Sequence, residues 1–399
     1  MFVHIDCNSF FASCEIADNA ELSGRPVVVA NVNEAGGGII LALNNEAKAL
    51  GLKRGNPVFQ VKRLLEKNKV AVCPADHKKY HAYSHRIMKL VQRQGIVLDF
   101  VQYSIDEFFG TLPIDNPDEV RNCVKTVKDS IESETGVPVS CGCSVTYTLA
   151  KTATYFAKRY PGYDGICVMP RSKIPTALAL VPIGDVWGIG RQNSKKMSGL
   201  NVETALDFTL CEEKTIRNTF NTAAFNTYME LKGTPSIAFN RSEQQQSIMQ
   251  SRTFAYMTTS RDELAVAISR FAGDCCTKLR AQGSLCSSVC VFITTNRHRQ
   301  DLPQYSNSAS CNLPHPTADT PSIIKASLVL LDSIFKPSYN YKQAGVILSR
   351  ISPEEGSQLD LFTENDDKKR RKLMKLTDEI NRRFGDHSIG FGDTTKKPF

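Results

Sequence analysis

The first 165 residues alternate between strand-like and helix-like patterns in an order that few folds accommodate. A β-prone run, Phe2–Ile5, precedes a helical pattern from Ser9 to Ala17. After an interruption come an amphipathic helix, His77–Gln94, and a β-rich stretch, Ile96–Leu112, that breaks at Tyr103–Glu107. A helix, a strand and a further helix follow at 120–135, 137–145 and 149–158. The order strand–helix–strand–strand–helix–strand predicts a ferredoxin-like layer built from residues 1–25 and 76–165.

The rest of the chain divides by pattern into further segments. Residues 26–75 have their own short strands and helices, and we interpret them as an insertion. Residues 174–239 are helical by pattern and contain Trp187-Gly-Ile-Gly190. A polar run, residues 240–247, then leads into a second α/β pattern over residues 248–350. Its strands are expected at 251–256, 288–295 and 344–348, and its helices at 262–281 and 322–335. Residues 351–399 are polar and form a tail. The expected fold class is therefore α+β with several domains.

Charge and targeting signals narrow the class of protein. The 399 residues contain 49 lysines and arginines against 41 acids, a net charge of +8, which fits either a partner of nucleic acid or a basic enzyme without one. The first residues lack the basic and apolar regions of a signal peptide, and no apolar run is long enough to span a membrane. We therefore expect a cytoplasmic protein with no membrane partner.

The 13 cysteines raise the alternative of a zinc site. Cys141 and Cys143 are separated by one residue, and Cys275 and Cys276 are adjacent. Neither pair has the spacing of a zinc knuckle or a matching second pair. We interpret them as reduced core residues.

Three acids could form a metal site. Asp6 ends the first strand, and Asp106 and Glu107 lie at the break in the β-rich stretch. In a ferredoxin-like sheet the first strand lies beside the interior hairpin, so these ends can meet. Clustered carboxylates raise one another's pKa unless cations neutralise them, and Mg²⁺ prefers oxygen ligands. By spacing alone, a helix cap at Asp6 and a solvated turn at 106–107 explain the same residues.

Several motifs resemble those of the Y family of translesion DNA polymerases, and the UmuC type most closely. They are MFVHIDCNSFFASCE, YSIDE, NNEAKALGLKRGNP, TLAKTATYFAK, VWGIGRQNSKKM and SRTF, and the resemblance covers residues 1–362. It implies a palm (1–25 and 76–165), fingers (26–75), a thumb with a helix-hairpin-helix (166–239) and a little finger (240–350). It also implies error-prone, DNA-templated DNA synthesis opposite damaged template, in SOS-type repair and mutagenesis.

The resemblance assigns roles to residues of the palm and fingers. Asp6, Asp106, Glu107 and the carbonyl of Cys7 would hold two magnesium ions. Phe11 would be a steric gate against ribonucleotides, although a plain core aromatic is the alternative. The incoming dNTP would also contact Phe10, Asn45, Lys48 and Lys158. Asn45 and Leu43 depart from the tyrosine and arginine of many relatives, which leaves the grip of the fingers open.

The same resemblance implies partners for the later segments. Gly188, Gly190, Arg191 and Lys195 would contact primer-template DNA from the helix-hairpin-helix, and Arg252 from the little finger. The peptide Gln358, Leu359, Asp360, Leu361 and Phe362 resembles the motif that binds the bacterial sliding clamp. Residues Lys368–Lys372 are interpreted as a solvated helix start. A UmuD′-like accessory subunit and RecA are further expected partners, and the localisation would be nucleoid-associated.

Two rival functions use the same residues. A nucleotide cyclase also needs two metals on a palm, but it does not need the duplex-gripping segments. A non-catalytic regulatory protein that binds the clamp and DNA would not need intact Asp6, Asp106 and Glu107.

Overall fold

The computed structural model describes residues 1–32, 38–239, 244–354 and 366–391. The chain separates into two compact units, Met1–Arg241 and Ser242–Phe399. In the first unit the elements are β1 (Phe2–Cys7), α1 (Phe10–Asp18), β2 (Val27–Val32), β3 (Gly38–Leu43), α2 (Asn45–Ala49), α3 (Val58–Lys67), β4 (Ala71–Pro74), α4 (His77–Gln94), β5 (Leu98–Gln102), β6 (Glu107–Thr111), α5 (Pro117–Thr135), β7 (Val139–Ser144), α6 (Tyr147–Arg159), β8 (Ile166–Val168), α7 (Ile174–Leu178), α8 (Arg191–Ser198), α9 (Ala205–Leu210), α10 (Glu213–Thr219) and α11 (Thr222–Leu231).

The main sheet of the first unit has the strand order β5-β6-β1-β7-β8. Its first four strands are antiparallel neighbours in the ferredoxin-like arrangement, which confirms the predicted fold class. The short strand β8 adds a parallel edge beside β7 and was not predicted, because only three residues mark it. β1 is therefore a central strand, and its apolar residues Val3 and Ile5 are completely buried.

Helix α6 lies directly on the sheet because β7 carries a glycine at the crossing. A side chain at Gly142 would bring its Cβ within 2.2 Å of the Ala150 carbonyl oxygen and of the Thr154 nitrogen. Only a residue without a Cβ permits this approach. The approach brings one face of α6 close to β1, where the predicted site residues begin.

Residues 26–75 contain a separate small sheet with the order β3-β2-β4 and a core of their own. The Asn44 side chain starts α2 by accepting hydrogen bonds from the backbone nitrogens of Val27 (2.9 Å) and Ala47 (3.1 Å). This cap fixes α2, which carries Asn45 and Lys48, to β2. Helices α7 to α11 pack around a third core that includes Phe208 and Tyr228.

The second unit is a four-stranded antiparallel sheet with two long helices on one core. Its elements are β9 (Ser247–Thr258), α12 (Arg261–Ala281), β10 (Ser284–Thr295), β11 (Ser306–Thr317), α13 (Thr320–Ile334), β12 (Tyr341–Pro353) and α14 (Asp366–Phe384). Strand β11 was not predicted. It is polar and contains Pro314 and Pro316, and it is accommodated at the sheet edge, where prolines cost no ladder hydrogen bonds.

The basic run after residue 366 forms part of helix α14, which packs against other elements of the second unit. Met374 of α14 is buried, and Asp378 receives two hydrogen bonds, at 2.6 and 2.7 Å, from the Arg280 guanidinium of α12. The helix start expected at Lys368–Lys372 was therefore correct, but two of its arginines are not simply solvated: Arg370 lies 3.7 Å from Asp319, and Arg371 lies 3.3 Å from Glu354.

Candidate active site

The predicted acids meet at one end of the main sheet. Asp6 of β1 is the direct register partner of Glu107, the first residue of β6. Asp106 lies in the bend between β5 and β6, and its carbonyl accepts a hydrogen bond from the Cys7 backbone nitrogen at 2.9 Å. The structure thus brings Asp6, Glu107 and the Cys7 backbone together, with Asp106 in the adjoining bend.

Two lysines of α6 contact these acids. Lys158 forms an ion pair with Asp6, and Lys151 places its Nζ 2.8 Å from each carboxylate oxygen of Glu107. Lys151 was missed by the sequence reasoning, although it lies seven residues before Lys158 and therefore two turns away on the same helix face. The Ser104 hydroxyl, which the sequence indicates as a turn-forming residue, donates to the Asp106 carboxylate at 2.5 Å.

The lysines do not fully neutralise the acids. The pKa of Asp6 is raised from 3.8 to about 6, chiefly because the side chain is buried. The nearby Lys158 opposes this shift, and the charges of Glu107 and Asp106 add to it. A buried carboxylate group with an elevated pKa is stabilised in its charged form by a divalent cation.

The donor set fits such a cation. A ring nitrogen of His4, a carboxylate oxygen of Asp6 and one of Glu107 all lie within 4.8 Å of one another. Two ligands on opposite sides of one ion at about 2.1 Å would be about 4.2 Å apart, so small side-chain movements suffice. Asp106 is not a member of this group of atoms in the described residues.

The residues assigned to the nucleotide lie beside the acids. The Lys48 Nζ donates hydrogen bonds to Ser9 Oγ and to Asn45 Oδ1, both at 3.1 Å. The pKa of Lys48 is lowered, first by partial burial and then by the positive charge of Lys158. Two cations therefore share this region, and an anionic ligand would relieve their repulsion.

The aromatic pair at the start of α1 has two different environments. Phe10 is buried in the main core, whereas Phe11 is only partly buried and stacks on Tyr80 with ring centroids 4.2 Å apart. Ser9, just before them, has the left-handed backbone angle φ 49°. This turn directs α1 away from the end of β1, and the Phe11 ring keeps an exposed fraction.

The residues assigned to DNA lie on exposed surfaces of each unit. Gly188 has φ +83°, and Gly190 is the N-cap of α8, where Arg191 and Lys195 are exposed. Arg252 is exposed on β9, opposite Ala344 of β12. The peptide Gln358–Phe362 lies outside the described residues.

The cysteine pairs considered for zinc are in the cores. Cys141, Cys143, Cys275 and Cys276 are all completely buried. Burial raises the pKa of each of these thiols, which disfavours the thiolate that zinc requires. In the part of the chain that the structure describes, no helix is long and apolar enough to cross a membrane.

The fold is that of Y-family DNA polymerases. A solved Y-family polymerase chimera of Dbh and Dpo4 matches 88% of this chain and 99% of its own with a TM-score of 0.73 at 20% identity. An insertion ternary complex of Dbh DNA polymerase matches with a TM-score of 0.57.

Sequence comparison narrows this class to one family. Residues 5–155 match the impB/mucB/samB family model, and residues 245–361 match the C-terminal domain model of that family. The protein UmuC of Salmonella typhimurium is 34% identical over 98% of this chain and 93% of its own. Protein ImpB of Salmonella typhimurium is 33% identical over 96% of this chain and 90% of its own, and DNA polymerase IV 1 of Bacillus subtilis is 25% identical. The chain belongs to the impB/mucB/samB family and is a UmuC-type member of the Y-family polymerases, as the motifs predicted. The regulatory-protein alternative is not favoured.

Proposed function

We propose that this chain is a DNA-templated DNA polymerase of the error-prone translesion type, which extends a primer 3′ end opposite damaged template during SOS-type repair and mutagenesis. The observation that carries the proposal is the Asp6–Glu107 pair, held in register at a sheet end and flanked by the cations of α6. Family membership supports the same reaction.

Within this function we propose that Asp6, Asp106, Glu107 and the Cys7 carbonyl hold two magnesium ions. When bound, the ions supply the positive charge that activates the primer hydroxyl and neutralises the leaving pyrophosphate. The chain itself orients the reactants: β1 and β6 fix the carboxylates, while Lys48 and Lys158 attract the triphosphate, with Asn45 and the backbone at Phe10 beside it. Lys151 is a positioning residue, because its contact orients Glu107.

Phe11 is proposed as the steric gate. Stacking on Tyr80 holds the ring rigidly, so it cannot swing away from a 2′-hydroxyl without losing that contact. Replacing Phe11 by Ala removes the ring and is expected to raise ribonucleotide incorporation at least tenfold. Phe225 contacts the Arg217 guanidinium and is far from Phe11 in the sequence. Phe225→Ala is therefore a matched control that should leave ribonucleotide rejection intact.

We further propose the domain assignment given by the resemblance: palm 1–25 and 76–165, fingers 26–75, thumb 166–239, little finger 240–350 and tail 351–399. The separate sheets of residues 26–75 and of the second unit support separate roles. The exposed Gly188–Gly190 turn with Arg191 and Lys195, and Arg252 on β9, would contact DNA phosphates. Such contacts predict affinity that falls steeply with salt.

The sliding clamp, a UmuD′-like accessory subunit and RecA are proposed partners, and the tail peptide Gln358–Phe362 is the proposed clamp ligand. Because its proposed substrate is primer-template DNA, the protein is proposed to work in the cytoplasm at the nucleoid. Both proposals derive from the family resemblance.

The testing experiment is primer extension by the purified protein with Mg²⁺ and dNTPs on undamaged and lesion-bearing templates, with clamp and accessory subunit present. Wild type should extend on both templates, and Glu107→Gln should lose at least a hundredfold in rate while still binding primer-template. The control is Glu21→Gln, an exposed carboxylate on the same unit. No extension by wild type would refute the polymerase, and full activity of Glu107→Gln would refute the assigned acids.

A further inference from the structure

His4 is a buried side chain that neither the family resemblance nor the proposed mechanism uses. It lies two residues before Asp6 on β1, and therefore points to the same face of the sheet. The side chain is 1% exposed, its ring lies 4.6 Å from that of Phe109, and its Nδ1 is 2.9 Å from Thr154 Oγ1. Its Nε2 is buried and has no hydrogen-bond partner among the residues that the structure describes.

Two carbonyl oxygens beside Thr154 are placed to accept its hydroxyl hydrogen. They belong to Ala150 of the same helix, at 3.2 Å, and to His4, at 3.4 Å. In this arrangement the hydroxyl accepts from His4 Nδ1–H, and Nε2 carries the lone pair.

An unpaired buried acceptor lowers the stability of the fold, and no contact in the described residues makes use of it. A neutral imidazole whose far nitrogen is oriented by a hydrogen bond is, however, the form in which histidine binds metals. One His4 ring nitrogen lies within 4.8 Å of carboxylate oxygens of both Asp6 and Glu107.

We propose that His4 is a nitrogen ligand of the cation held by Asp6 and Glu107, and that it shifts the selectivity of this site from Mg²⁺ toward divalent transition metals. This inference rests on the metal site of the proposed function. Mg²⁺ gains little from a nitrogen ligand because it prefers oxygen, whereas imidazole suits transition metals. His4 therefore adds a buried nitrogen ligand, which raises the affinity of the site for transition metals but not for Mg²⁺.

The test uses Mn²⁺ alone as the probe with the full-length protein. Free Mn²⁺ is counted by its electron paramagnetic resonance signal, and electron spin echo modulation detects nitrogen bound to the ion. Protein labelled with ¹⁵N-histidine should show the shifted modulation of a bound imidazole. His4→Leu should lose this modulation and raise the Mn²⁺ dissociation constant about tenfold, while Mg²⁺ affinity changes less than about threefold. His85→Leu, an exposed histidine of α4, should match wild type.

The outcomes separate this inference from the proposed function. Mn²⁺ binding that is lost in Asp6→Asn but shows no histidine nitrogen in wild type would overturn the role of His4 and leave the carboxylate site standing. Binding that is unchanged in both Asp6→Asn and His4→Leu would overturn the metal site itself. The isotope experiment needs no substitution, so it decides the question even where His4→Leu fails to fold.

Discussion

Asp6 is expected to lower the free energy of unfolding of the first unit when no divalent cation is present. Its replacement by asparagine should therefore stabilise the protein under that condition. Asparagine keeps the size of the side chain, accepts from Lys158 through its amide oxygen and can donate to Glu107. It removes the buried charge that is repelled by Glu107 and Asp106. We therefore expect Asp6→Asn to raise the free energy of unfolding of the first unit in the presence of a chelator.

The magnitude follows from the pKa of Asp6, which rises from 3.8 to about 6 on folding. A shift of about two units corresponds to about 3 kcal/mol. Because the folded state holds the proton more tightly, wild type loses this stability as the pH rises from about 4 to about 6. Above pH 6 the asparagine variant should be more stable by up to about 3 kcal/mol, and near pH 4 the advantage should vanish.

Trp187 provides the assay, because it is the single tryptophan of the chain and lies in the first unit against Tyr103. Urea titrations followed by its fluorescence, at pH 4 to 8 in chelator, report the unfolding of that unit without the second. Glu21→Gln, an exposed carboxylate, should change nothing. Saturating Mn²⁺ should reduce or reverse the difference, since it stabilises only the protein that binds it. A variant less stable than wild type at pH 8 in chelator would refute the reasoning.

Other predictions concern positions away from the acids. Gly188→Ala should destabilise the first unit by about 1–3 kcal/mol, because Gly188 has φ +83° and a Cβ there would lie 2.5 Å from the Thr227 hydroxyl oxygen. The control Gly190→Ala, with open space around the position, should unfold like wild type in urea. Glu230→Ala should cost about 3–5 kcal/mol by tryptophan fluorescence, since this buried carboxylate accepts three backbone N–H bonds; an unchanged midpoint would contradict the account. Arg280→Met should release helix 366–384, seen as faster hydrogen exchange there with the sheet still protected; undiminished protection would show that the bridge is dispensable.

The sequence allowed much of the fold to be predicted where residue patterns are strong. The helix His77–Gln94 has its expected bounds, because an apolar stripe, an Asp76 cap and a terminal glycine agree. β11 was missed because its alternation is polar and its prolines argue against a strand. Only its place at the sheet edge, which is a property of the tertiary structure, makes those prolines acceptable.

The part of the candidate site that lies at strand ends could be predicted from the sequence. Asp6 and Glu107 could be expected to meet, because β1 lies beside the hairpin in a ferredoxin-like sheet. The partners of these acids could not be predicted in the same way. Lys151 reaches Glu107 because Gly142 lets α6 lie close to β1 and β7, and a close crossing of helix and sheet leaves no periodic signal. His4 lies on the Asp6 face of β1 by the strand period, but the sequence gives no sign that one of its ring nitrogens lacks a hydrogen-bond partner.

Three features that oppose stability lie close together near the start of the first unit, between His4 and Ser9. A buried carboxylate at Asp6, an unpaired nitrogen at His4 and a left-handed backbone at Ser9 each cost free energy, and they lie in β1 and in the turn that follows it. β1 can carry them because it is hydrogen-bonded on both sides, to β6 and to β7, with Val3 and Ile5 buried on the opposite face. A one-residue slip would turn His4 and Asp6 into the apolar core and place Val3 and Ile5 against α6, so the register that places Asp6 opposite Glu107 is also the one that the core enforces. The precision of the site therefore derives from the packing of the strand.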